Sequence, residues 1–100
     1  MRVIAVSTLR EFWKNHPDAL EPLSAWVAVV SKARWSQPAD VKAQHKNAGI
    51  LKNQRAVYNI KGNDHRVIVA VAHQLDIVHI KFVGTQKQYD AVDTETVEME

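Results

Sequence analysis

The chain has 100 residues, 46% of them hydrophobic and 24% charged, which is the length and make-up of one ordinary folded domain and not of a disordered chain. No apolar run reaches the ~18 residues of a membrane span, the opening Met1–Ser7 is too short an apolar stretch for a secretory signal, and the lack of cysteine excludes disulfides and thiolate metal sites. The net charge of +2 conceals an asymmetry: Asp90, Asp93, Glu95, Glu98 and Glu100 close the chain with no Lys or Arg among them, so residues 1–89 carry thirteen bases against six acids, about +7.

That excess suits either a polyanionic partner or a solvated surface with an acidic tail for solubility. The expected compartment is the cytoplasm. Arg2–Val6 reads as a short strand. Ser7 is a candidate N-cap for a helix over Thr8–His16, where Leu9, Phe12, Trp13 and His16 share one face and Pro17 ends the run. A second helix is expected over Ala19–Arg34, with Leu20, Leu23, Val27 and Val30 on its apolar stripe and Trp26 beside them. Pro38 opens a short helix to about Gln44.

The period then changes. Strands are expected around Ile50–Asn53, over Arg55–Ile60, over His65–Ala72 and over Ile77–Phe82. The middle two are joined by the hairpin loop Lys61-Gly62-Asn63-Asp64. Alternation places His65, Val67, Val69 and Val71 on one face of their strand and Arg66, Ile68, Ala70 and Ala72 on the other. In the last strand it sets His79 and Lys81 opposite Val78, Ile80 and Phe82. Thr85 and Gln88 have capping-box spacing for a short C-terminal helix, and residues past Asp93 have little reason to be ordered. The expected fold is α+β: an N-terminal helix hairpin packed on one face of a small antiparallel sheet, as one domain over residues 1–93 with an acidic tail over 94–100.

Sheet and turn can gather the cations Arg55, Lys61, Arg66, Lys81 and Lys87. Arg66 starts a central strand, where its guanidinium either meets a phosphate or pairs with Asp64, Asp76 or Asp90. The histidines lack close metal-ligand spacing, so neither metal nor other cofactor is expected.

The motif Tyr58-Asn59-Ile60-x-Gly62-Asn63-x-x-Arg66, followed by apolar strands and Gly84-Thr85-x-x-x-Tyr89-Asp90, resembles the HigB-type toxins of bacterial type II toxin–antitoxin systems. These belong to the wider group of RelE-like ribonucleases, and the likeness runs from Val3 to Asp93. It implies a RelE-like toxin that cuts mRNA in the ribosomal A site and is neutralised by a cognate helix-turn-helix antitoxin of the HigA type. Metal-free RNA cleavage needs a deprotonated 2′-hydroxyl, a stabilised phosphorane and a protonated 5′-oxygen. By the resemblance, Arg66 stabilises the phosphorane, Asn63 holds the hairpin or binds RNA, and Tyr89 orients the nucleotide or transfers a proton. Arg55, Lys81, Lys87 and His65 are further candidates for RNA contact.

One position departs from the family pattern. Where Thr-His-x-x-Tyr-Asp is common, this chain has Gln86, which hydrogen-bonds but does not titrate near neutral pH. Three accounts stay open: Lys61, Lys87 or His65 shares the proton transfer, ribosome-imposed geometry carries the reaction, or activity is attenuated. Two other functions compete with nuclease: a non-catalytic RNA- or ribosome-binding module on the same fold, and a protein-binding subunit whose basic face serves an acidic antitoxin segment.

Overall fold

A computed structural model describes every residue except Asn47, Asn63 and Glu100. Strand β1 (Arg2–Ile4) leads into helix α1 (Val6–Asn15), and a 3₁₀ turn at Pro17–Ala19 leads into α2 (Leu20–Lys32). Helix α3 (Pro38–Gln44) precedes β2 (Gly49–Ile50), β3 (Arg55–Ile60), β4 (His65–Ala72), β5 (Ile77–Thr85) and α4 (Gln86–Asp90). None of the helices is long and apolar enough to cross a membrane.

Helix α1 starts earlier than Ser7 would allow as a cap. Ala5 takes the N-cap position in the left-handed region (φ 74°, ψ 38°), and its carbonyl accepts from the Thr8 amide at 2.9 Å. The chain turns from strand to helix within that single residue. Further on, Pro17 does end α1, and the 3₁₀ turn that follows takes up Ala19 from the expected start of α2.

The sheet order is β1-β5-β4-β3-β2. All neighbours pair antiparallel except β1, which lies parallel to β5 with Val3 opposite Val78, so the expected antiparallel sheet is a mixed one. Leu9, Phe12, Leu23, Trp26 and Val30 from the helices form one cluster with Tyr58, Val67, Val69, Val71, Val78, Ile80 and Val83 from the strands. Large apolar side chains removed from water on this face supply the main stabilisation. Trp35, 3% exposed, belongs to the same core and donates from Nε1 to Gln44 Oε1 at 2.8 Å.

β5 does not alternate uniformly. Ile68 pairs with Phe82 while Val69 pairs with Ile80, so Lys81 is an extra residue in a β-bulge. Val78 and Ile80 face the helices before the bulge, and Val83 does after it. Phe82 therefore joins Ile68 on the second face, outside the helix-side cluster, and not Val78 and Ile80 as plain alternation implies.

Residues 94–99 are laid across this second face. Asn53 Nδ2 donates to the Glu95 carbonyl, Arg55 donates to the carbonyls of Thr94 and Val97, and Glu98 bridges Arg55 and Lys81. The segment ends at the rim of β5, where the Val83 amide donates to Met99 Sδ at 3.2 Å. On sequence alone residues past Asp93 have little reason to order; in the structure Glu98 meets two cations that the sheet assembles.

Candidate functional site

Arg66 lies on the second face, with Asn59 and Gly84 as its cross-strand neighbours. Gly84 clears the space beside it. A Cβ there would lie 2.6 Å from Phe82 Cζ and 2.9 Å from Gln88 Oε1, so the position admits no side chain without displacement. Directly after it Thr85 caps α4: its side chain accepts from the Gln88 amide at 3.2 Å, and Gln88 Oε1 accepts from the Thr85 amide at 2.8 Å. This reciprocal box was expected from the Thr85/Gln88 spacing, and it fixes the direction in which α4 leaves the sheet.

That direction brings Tyr89 back to Arg66. The guanidinium carbon stands 5.6 Å from the ring centroid, a cation–π contact between two half-buried side chains. Arg66 also donates to the His65 carbonyl at 3.3 Å. Among the described residues no carboxylate reaches it within ion-pair distance, including Asp64, Asp76 and Asp90. An arginine set over an aromatic ring and without an acidic partner among the described residues presents donors suited to a phosphate or a phosphorane.

Gln86 joins two parts of the site. Its amide donates to the Asp64 carbonyl at 3.1 Å, fastening α4 to the β3–β4 turn, and its Nε2 donates to Asp90 Oδ1 at 2.7 Å. Its Oε1 is buried and has no partner among the described residues. Lys87 is exposed on α4 and forms no ion pair among them. Asn63 lies outside the described residues.

The other candidates stand apart from the Arg66–Tyr89 pair. His65, 4% exposed, is on the helix side, edge-on to Phe12 and His16, with Nε2 3.3 Å from Asp18 Oδ2. Lys61 binds the same carboxylate at 2.9 Å. This hydrogen bond to Lys61, ahead of that to His65, holds the Asp18 carboxyl below its ordinary range, and Asp18 in turn raises the Lys61 pKa. Lys61 is thereby kept protonated, which favours an electrostatic role over that of a base. Arg55, 6% exposed, and Lys81 share the second face with Arg66 and are engaged by residues 94–98.

Asp18 organises Lys61 and His65, Glu98 organises Arg55 and Lys81, and sequence reading named neither acid as a site residue. Each is remote in sequence from its partners, so no local pattern pairs them. Among the described residues no three His, Cys, Asp or Glu side chains gather as a metal set.

Similarity to known proteins converges on the same stretch of chain. The family model HigB_toxin, described as a RelE-like toxic component of a toxin–antitoxin system, matches residues 19–92. Over 92 residues the chain is 26% identical to the mRNA interferase toxin HigB of Escherichia coli K12. It is equally similar to the mRNA interferase HigB of Escherichia coli O157:H7 and to that of Shigella flexneri. Each alignment covers 90% of this chain and 88% of the relative.

Proposed function

Because the chain belongs to the HigB family of RelE-like toxins, we propose that it is an mRNA endoribonuclease that works without metal on ribosome-bound message and so stops translation. The observation that carries this reading is the Arg66–Tyr89 pair: a cation set over an aromatic ring, without a carboxylate partner among the described residues, on the sheet face away from α1 and α2. In the reaction, the 2′-oxygen attacks the adjacent phosphorus as its proton leaves, and the bond to the 5′-oxygen breaks as that oxygen is protonated. The products are a 2′,3′-cyclic phosphate and a free 5′-hydroxyl. Arg66 stabilises the charge that builds on the phosphorane, where donors aimed at the transition state have most effect. Tyr89 holds the guanidinium and places a hydroxyl within reach of a nucleotide docked against it. A cognate antitoxin of the HigA type is the neutralising partner.

A second reading, an RNA- or ribosome-binding module without catalysis, is favoured by one observation. Gln86 stands where the family commonly has histidine, and its carboxamide is tied to Asp90. Induction of the chain alone in bacteria separates the two. Growth arrest with cut transcripts is the expected result, and Arg66→Ala should lower cleavage by roughly 10²–10³-fold, the usual cost of one lost transition-state donor. Arrest with intact transcripts would replace nuclease by binding module.

A further inference from the structure

We propose that residues 94–99 are a built-in polyanion mimic: an acidic strap that occupies the RNA-binding face beside Arg66 and must yield before RNA can lie along it. The inference rests on the reading of that face as RNA-binding. It concerns a segment beyond the family match, which ends at residue 92.

The strap crosses cations that share the face of Arg66. Lys81 stands at the bulge opposite Ile68 and Val69, and Arg55 stands opposite Ala70. Counted along β4 from Arg66, these positions lie roughly 7–10 and 13 Å away. Between them Phe82 extends toward Gly84, the cross-strand neighbour of Arg66, so an aromatic side chain and three cations form one continuous track. Aromatic platforms flanked by cations on a sheet face are how single-stranded nucleic acid is held. In this structure the track is covered: Phe82 is 5% exposed and Ile68 is fully buried.

The covering group imitates the ligand. Glu98 offers one carboxylate oxygen to Arg55 Nη2 at 3.2 Å and the other to Lys81 Nζ at 3.0 Å, as a bridging phosphate would. Two backbone carbonyls, of Thr94 and Val97, complete the shell of Arg55. The hold is modest, however. Residues 94–99 form neither helix nor strand, Glu98 is exposed, and the final tie is a thioether accepting an amide, a weak acceptor. A phosphodiester backbone would supply the same negative oxygens and, unlike the strap, would extend to Arg66.

Truncating the strap would remove its backbone ties to Asn53, Arg55 and Val83 together with the carboxylate, so the test keeps the full chain and changes one side chain. Glu98→Gln, with a wild-type far-ultraviolet circular dichroism spectrum as the fold check, should bind a 2′-O-methyl oligouridylate about three- to tenfold tighter, the scale of one or two surface ion pairs. The slope of log K against log salt should steepen by about 1 as a freed cation meets phosphate. Lys81→Ala should cancel the gain in the Glu98→Gln background. Glu95→Gln removes the same charge from the same segment, where no cation binds that carboxylate among the described residues, and should leave binding unchanged. Equal binding by Glu98→Gln and wild type, equal gains from both variants, or a gain that survives Lys81→Ala would each overturn the strap. The uncleavable probe separates this outcome from the nuclease reading: a chain that behaves as described yet cuts no message sinks the nuclease and leaves the strap standing.

Discussion

Arg66 is set apart by its surroundings more than by its charge. Lys61, Lys81 and Arg55 each hold a carboxylate, while Arg66 holds a ring. The ring and the hydroxyl of Tyr89 can be told apart by experiment. Tyr89→Phe keeps the ring and removes only the hydroxyl, and we expect cleavage to fall on the order of 10²-fold, the lower range for a proton-transferring side chain. A loss of less than tenfold would assign Tyr89 to orientation alone. Gln86→His should raise cleavage if a titrating group limits the reaction, provided that the tie to Asp90 is preserved; unchanged activity would show that it does not. At this scale the sequence placed the candidate side chains wherever one strand or one cap decides their position. Alternation separated His65 from Arg66, and the capping box located Tyr89. It failed for Asp18 and Glu98, whose partners lie 43 and 17 residues away at Lys61 and Lys81 and are met only once the sheet has formed.

Two backbone positions show how the elements are made to meet. At Gly84 the close approach of Phe82 and Gln88 leaves no room for a methyl group, so Gly84→Ala should destabilise the fold by about 1–3 kcal/mol in chemical denaturation. It should also weaken the Arg66–Tyr89 contact, because α4 would shift with Gln88. Wild-type stability in that variant would mean that the approach is loose. At Ala5 the left-handed backbone suits glycine better, and Ala5→Gly should be neutral or stabilising by up to ~1 kcal/mol despite its more flexible unfolded chain. Neither α1's early start nor the parallel pairing of β1 was readable beforehand. Ser7 is a good cap by composition, but the crossover from β1 requires the helix to begin at once, and that requirement is set by the sheet. The bounds of α3, β3 and β4 were readable, because Pro38, the Lys61–Asp64 loop and a plain apolar period mark them locally.

For the molecule as a whole, acid should act in two stages. Burial lowers the pKa of His45 below its ordinary 6.5, so the neutral ring favours the folded chain and stability begins to fall as pH drops under that value. Asp18 and Glu98 are held below 3.8 and 4.5, Asp18 chiefly by Lys61 and Glu98 chiefly by Lys81. Their contributions are complete above those values and are lost as pH falls through and below them. Thermal melts between neutral pH and the carboxylate range should show both declines; His45→Gln should remove the first, and Glu98→Gln should reduce the second. The core that underlies this behaviour lies on the helix side, whereas the second face depends on one bulge. Lys81 is supernumerary there: without it Ile80, Phe82 and Val83 would fall into plain alternation with every downstream side chain still on its present face. Loss of the single codon for residue 81 should therefore be survivable, whereas loss of codon 80 would set Lys81 in the helix-side place of Ile80 and loss of codon 82 would set it in the place of Phe82. A lineage can add or discard this cation, and with it the anchor of the strap, without renegotiating the architecture.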